Sequence, residues 1–304
     1  NADGTLNISR TGTMGFSGNF NPLYIAANDK QNLLNNKALG SVTGTYEITK
    51  GLQFKSTVGA DYFNIEEQTF WNPFHGDGRT TSGRGYNYYT RVFNWITTNQ
   101  LNYQFKVPGV NGLNANATIG YEAQKSTERD ISTNATGYPP TTLLPSSIVA
   151  ATPITASATG SGYTFNSILS SLNLSYQGKY NLSGTFRRDG SSRFGSNNRY
   201  GNFWSIGGAW NIDEEAFLKG NDVISMAKLR SSYGVNGNIG NYTWRPLFGY
   251  GINYNQTPGG AFNNIGNIDL TWELNKPFNV GFDMGFFRDR LTVVFDVHPE
   301  TLHA

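Results

Sequence analysis

The sequence predicts an all-β fold, an antiparallel up-and-down sheet whose strands cross a membrane as a transmembrane β-barrel segment. Three observations carry this reading. Apolar and polar residues alternate with period two in segment after segment, several of them near the roughly 9 to 11 residues that span a bilayer as a tilted strand. Connections between these segments alternate between short and long, as in barrels with tight turns at one end and long loops at the other. Nowhere do about 18 apolar residues run together, which excludes a transmembrane helix and leaves strands as the means of crossing.

The elements follow in order. Strands are predicted at Val42 to Thr49, Leu52 to Tyr62, Tyr88 to Gln104, Leu113 to Lys125 and Thr164 to Tyr176. Five more are predicted at Tyr180 to Arg188, Tyr200 to Ile212, Ala227 to Val235, Asp269 to Phe286 and Leu291 to Val297. Tight connections are expected at Lys50-Gly51, Gln177-Gly178-Lys179 and Arg288-Asp289-Arg290, with Phe105 to Gly112 also short and punctuated by Pro108-Gly109. Long loops are expected over Phe63 to Gly85, Ser126 to Gly162 and Asn236 to Ile268. Gly190 to Arg199 is intermediate, and Asp213 to Met226 reads as a turn holding a short helix.

Each strand has two chemically different faces. Leu52, Phe54, Ser56, Val58, Ala60 and Tyr62 share one face of their strand, with Lys55 and Asp61 on the other. Tyr180, Leu182, Gly184 and Phe186 oppose Arg187, and Phe278, Val280, Phe282, Met284 and Phe286 oppose Asp283. Across the six clearest strands the apolar faces carry no charge, while the other faces carry Lys55, Asp61, Glu122, Arg187, Asp283 and Asp296. Lipid imposes this pattern, because a cation at the midplane of a barrel costs roughly 2–4 kcal/mol. A soluble sandwich buries one face in the same way, so the connection lengths are the discriminating evidence. Tyr103, Tyr176, Tyr180 and Trp210 near the short turns, and Tyr62, Tyr121 and Trp204 toward the long loops, fit interfacial aromatic belts.

Composition agrees and narrows the function. The 304 residues are 38% hydrophobic and 14% charged, and a net charge of +2 without basic runs gives no nucleic-acid surface. Absence of cysteine removes disulfides, thiolate zinc sites and thiol nucleophiles. Asn1 to Arg10 lack the features of a signal peptide, so the chain is expected to start within a longer protein.

From Phe186 the sequence reads Phe-Arg-Arg-Asp-Gly-Ser-Ser-Arg-Phe-Gly, followed by Arg199-Tyr200-Gly201 and Phe203-Trp204-Ser205-Ile206-Gly207-Gly208-Ala209-Trp210. With Asn21-Pro22-Leu23-Tyr24, Lys50-Gly51-Leu52, Leu229-Arg230-Ser231-Ser232-Tyr233-Gly234, Asn236-Gly237-Asn238 and Leu270-Thr271-Trp272-Glu273, this closely resembles the SusC/RagA family of TonB-linked outer-membrane transporters. The resemblance implies that residues 1–304 are a partial TonB-dependent receptor barrel domain, about ten strands of a plugged 22-stranded barrel in a Gram-negative outer membrane. It implies import of an oligosaccharide or peptide, with outer-membrane lipid, a SusD-like surface lipoprotein and the TonB complex as partners. Plug, TonB box and closing strands are not seen, so the fragment alone is expected to be an open curved sheet. One departure is His298-Pro299-Glu300 after Val297, where Pro299 is expected to interrupt pairing.

No motif for catalysis is present: no phosphate loop, no nucleophile elbow and no His-Glu-x-x-His. The chain is therefore expected not to be an enzyme and to need no cofactor or metal. His75 with Asp77 is a candidate metal or base pair, weighed against a solvated polar loop. Arg187, Arg188 and Arg193 are candidates for an acidic ligand or lipopolysaccharide, weighed against wall residues in salt bridges. Asn134-Ala135-Thr136 and Asn241-Tyr242-Thr243 match glycosylation acceptors that an Asn- and Thr-rich chain yields by chance. Phe70, Trp71 and Phe74 lie outside the strand pattern and are the candidate ligand contacts, because aromatic faces bind sugar rings and apolar side chains. Alternative readings are a passive structural or adhesin barrel and a ten-stranded membrane protease.

Overall fold

The computed structural model describes residues 4–6, 20–139, 152–240, 244–299 and 302–303. A seven-residue helix, α1 (Pro22–Asn28), precedes β1 (Lys30–Thr49), β2 (Leu52–Trp71), β3 (Arg84–Lys106), β4 (Leu113–Thr136) and β5 (Thr152–Tyr176). Then come β6 (Tyr180–Ser191), β7 (Tyr200–Asn211), β8 (Ile224–Asn238), β9 (Leu247–Tyr254) and β10 (Thr257–Asn264). The last are β11 (Glu273–Asn275), β12 (Phe278–Phe286), β13 (Leu291–Val297) and β14 (Leu302–His303). In the main sheet β1 to β8 follow one another in chain order, β8 also pairs β11 and β12, and β12 pairs β13. Among the described residues this path does not return to β1, so the sheet is open, as expected.

Glycine and positive backbone angles set the tight turns where the sequence places them. Gly51 has φ of 83°, and a Cβ there would stand 2.3 Å from the Gln104 carbonyl oxygen, so no other residue fits. Gln177 and Gly178 have φ of 54° and 72°, the left-handed pair of a two-residue hairpin turn whose twist matches its strands. Between β12 and β13 three non-glycine residues, Phe287, Arg288 and Asp289, have positive φ. The Asp289 carboxylate accepts from the Ser225 hydroxyl at 2.7 Å, and its backbone N–H donates to that hydroxyl at 3.0 Å, which offsets the strain.

All ten expected strands are present, but most boundaries at the loop ends move outward. Much of the expected loops Phe63 to Gly85 and Ser126 to Gly162 is strand, because β2, β3, β4 and β5 extend well beyond the bilayer-length segments. Polar residues on both faces of these extensions erase the alternation that revealed the inner parts. Residues 140–151 lie outside the described residues, as do Asn241-Tyr242-Thr243. The strand expected over Asp269 to Phe286 is split: Pro277 donates no hydrogen bond, and the chain forms β11 before it and β12 after it. The hairpin β9–β10 was not expected inside Asn236 to Ile268; its turn is Asn255-Gln256, with φ of 47° and 61°, rather than an Asn-Gly signal. Asp213 to Met226 holds only a single 3-10 turn, Ile212–Glu214. Pro299 does follow the end of β13, yet its carbonyl still accepts from Phe278 N–H at 3.3 Å.

The chain divides into two compact units that cut across the strands. One holds Asn1–Gly40, Ala60–Trp95 and Ser126–Gly162; the other holds Ser41–Gly59, Ile96–Lys125 and Tyr163–Ala304.

Candidate functional site

In the second unit, strand register separates two surfaces. Tyr176, Tyr180, Trp210, Leu229, Phe282 and Phe295 form one cross-strand row, and Leu172, Gly184, Ile206, Tyr233 and Phe278 another. These rows contain the apolar faces expected for β6, β7, β12 and β13, now aligned with residues of β5 and β8, and Phe295 is 64% exposed. The opposite surface runs Ser175, Asn181, Ala209, Arg230, Gly281 and Asp296. Here side chains are small, amide, hydroxyl or charged.

Several charges on this polar surface are paired. Arg230 reaches Asp283 at 3.2 Å and Asp296 at 2.7 Å, lying across Gly281, where a Cβ would stand 2.6 Å from the guanidinium carbon. Glycine therefore makes the room that lets one arginine join three strands. Arg187 joins Glu122 and Asp189, each at 3.2 Å. Of the arginines weighed as anion contacts, Arg187 is thus in ion pairs, while Arg188 and Arg193 lie over the rings of Tyr200 and Tyr163 at 5.1 and 4.4 Å.

At the short-turn end Tyr176, Tyr180 and Trp210 stack with centroids 6.4 and 6.3 Å apart, forming an aromatic belt. Glu215, in the turn after β7, accepts from Lys179 at 2.8 Å, Tyr180 at 2.6 Å and Trp210 Nε1 at 3.1 Å. Those bonds, led by the Lys179 ammonium, hold the Glu215 carboxyl down at about 2. Glu215 in turn raises the pKa of Lys179.

The long-loop end of the first unit contains the predicted ligand contacts. Phe70 and Trp71 are the last residues of β2 rather than loop residues. Phe70 is fully buried, edge-on to Tyr138 at 5.0 Å, so in this structure it packs the loop and offers no surface. Trp71 has Arg84 over its ring at 5.3 Å, and Phe74 is exposed. Burial raises the Tyr138 phenol pKa, and its ring fills the space above Gly85, where any Cβ would collide. His75 is buried too: its Nε2 accepts from the Asn21 N–H at 2.6 Å, and Phe20 and Tyr24 meet its ring edge-on. Asp29 accepts from Asn72 N–H at 2.8 Å. His75 thus anchors the start of the Asn-Pro-Leu-Tyr segment, and Asn72 the Asp29 that ends its helix. Among the described residues no three His, Asp or Glu side chains gather as metal ligands.

In the second unit, Phe194, Phe203 and Trp272 form a buried core, with Phe165, Ile239, Leu270 and Leu274 packed on it. Cβ atoms on Gly201 and Gly237 would come within 2.4 and 2.2 Å of the Phe203 ring. The Arg-Phe-Gly, Gly-Asn-Phe-Trp, Asn-Gly-Asn and Leu-Thr-Trp-Glu motifs, far apart in sequence, therefore meet as one packing set. Nothing local in those motifs announces this packing role.

A sheet with uncharged apolar rows on one face, ion pairs on the other and stacked aromatics at the strand ends is the wall of an outer-membrane β-barrel. The family described as "TonB dependent receptor-like, beta-barrel" matches residues 1–297, and this chain belongs to it. TonB-dependent receptor P3 of Formosa agariphila is 29% identical over 98% of this chain and 30% of its own length. TonB-dependent receptor SusC of Bacteroides thetaiotaomicron is 37% identical over 27% of this chain and 9% of its own. The RagAB peptide importer in its "open-open" state superposes with a TM-score of 0.84 and 25% identity, covering 99% of this chain and 33% of that one. The chain thus spans about a third of P3 and of the RagAB chain.

Proposed function

We propose that the full-length protein is an outer-membrane active transporter that imports a large nutrient, an oligosaccharide or peptide. TonB supplies the energy through a region outside this chain, a SusD-like surface lipoprotein covers the outer mouth, and these residues act as barrel wall and outer loops rather than as an enzyme. The observation that carries the reading is the family match over residues 1–297. The uncharged outward rows beside a charge-paired inner surface support it, since a wall between lipid and a wet lumen needs both. Similarity to a peptide importer supports the peptide alternative. Phe74, exposed on the outer loop, is the proposed ligand contact, with Trp71 beside it; Phe70 serves to hold that loop.

Growth on a panel of oligosaccharides and peptides as sole nutrients, with the gene deleted and restored, tests the function. Loss of growth on one nutrient, restored by the gene and abolished again without TonB, is expected. Normal growth of the deletion strain on every nutrient, or a protein absent from outer-membrane fractions, refutes it.

A further inference from the structure

The first unit carries two arginines with no evident role in the wall. Hydrogen bonds from Thr90 to Asp130, from Asn87 to Thr133 and from the Thr127 hydroxyl to the Phe93 carbonyl align β3 and β4. In that register Arg91 stands opposite Arg129 on the same face. Both are exposed. Like charges directly opposed across two strands destabilise the pair, so the arrangement calls for an anion between them. Among the described residues neither arginine makes an ion pair, whereas Arg187 and Arg230 in the other unit each have two carboxylates.

Among the described residues no neighbouring acid is within ion-pair distance of either arginine. Asp130 alternates to the opposite face and accepts from the hydroxyls of Thr90 at 2.6 Å and Tyr88 at 3.1 Å, with Glu128 on that same side. Glu67 also alternates away. Glu66 shares the face of Arg91 but accepts from Asn64 Nδ2 at 3.1 Å. Beside Arg129, on β5, stands Gly160, where even a Cβ would lie 3.9 Å from the arginine stem, so that flank is open.

The same face carries exposed Phe93 just inside the arginines and exposed Ile131 just outside them. Exposed apolar side chains thus flank the arginine pair on its own face, the kind of surface a barrel wall turns to lipid. Phosphate is the anion two adjacent guanidinium forks match, and at a lipid surface it is borne by headgroups. We propose that Arg91 and Arg129 form a binding site for the phosphate groups of the anionic glycolipid in the outer leaflet. The site rests on the outer-membrane reading above and anchors the barrel at a fixed depth and orientation.

The test uses the full-length protein purified from outer membranes in detergent, with native mass spectrometry to count retained glycolipid and titration with the purified glycolipid to measure affinity. Arg91→Gln with Arg129→Gln should weaken binding about thirtyfold and either single substitution about fivefold, at roughly 1 kcal/mol per cation. Enzymatically dephosphorylated glycolipid should bind the unaltered protein as weakly as phosphorylated glycolipid binds the double variant. Arg288→Gln with Arg290→Gln, at the opposite strand ends, should change nothing. Heat-modifiable migration on gels checks that each variant is folded. Undiminished glycolipid binding by folded single and double variants overturns the site, and full displacement by millimolar inorganic phosphate assigns it to a soluble anion instead. Absence of the protein from outer membranes would refute the transporter reading itself, whereas an outer-membrane protein whose variants keep their glycolipid refutes only this inference.

Discussion

Trp272→Ala should loosen the outer loops of the second unit while leaving the membrane-spanning strands intact. Trp272 is only 8% exposed, with ring centroids 5.0 Å from Phe194 and 5.1 Å from Phe203. Its Nε1 donates to the Arg199 carbonyl at 3.3 Å. Truncating a buried tryptophan costs about 3–5 kcal/mol, and the upper half applies where the surroundings cannot collapse. Here the backbones of Gly201 and Gly237 form part of the wall and are held by strand pairing, so the space stays open. Trp272→Phe keeps an aromatic ring in contact with Phe194 and Phe203 and loses mainly the indole hydrogen bond, a cost of about 1 kcal/mol besides the smaller ring. Limited trypsin digestion of the detergent-solubilised protein is the assay, because Arg193, Arg199 and Arg245 lie in these loops. New cleavage in Trp272→Ala, much less in Trp272→Phe, and unchanged heat-modifiability in both are expected. An unaltered digestion pattern for Trp272→Ala would refute the role of this core.

Other outcomes follow from the same contacts. The Glu215 carboxyl sits at about 2 instead of its ordinary 4.5, so its stabilising effect is complete above 4.5 and is lost as pH falls from there to about 2. Fluorescence of Trp210 should report loosening of the short-turn end in that window, and Glu215→Gln should remove the transition. Arg230→Met leaves Asp283 and Asp296 without their shared ion-pair partner; because the group is about a third exposed, the cost should be about 1–2 kcal/mol in vesicle refolding, and adding Asp296→Asn should recover part of it.

How much of this was legible in the sequence varies by level. Strand ends at the tight turns were placed to the residue at Thr49, Leu52, Leu113, Tyr176, Tyr180 and Leu291, because glycine or a forced left-handed turn leaves a local mark there. The lipid-facing registers followed from alternation, since a single charge on that face is costly. Loop-end boundaries failed because Gln68, Asn87 and Thr133 link the extended strands through side-chain bonds to one another, with no hydrophobic pattern to announce them. Burial of Phe70 and His75 depended on Tyr138 and on the segment around Asn21, contacts between residues far apart in sequence. The Arg91–Arg129 pairing is invisible until β3 and β4 are set in register.

The central claim is that one sheet face meets lipid and the other a wet interior. Phe282 lies in the apolar row between Leu229 and Phe295, while its neighbour Asp283 faces the other way and binds Arg230. Equilibrium refolding of the complete barrel into lipid vesicles compares Phe282→Arg with Asp283→Asn. The first should cost about 2–4 kcal/mol, as an arginine against the acyl chains does. The second should cost about 1 kcal/mol or less, because Arg230 keeps Asp296 at 2.7 Å. Equal tolerance of the two substitutions, or a larger loss for Asp283→Asn, would contradict the assignment of faces and with it the membrane role of the sheet.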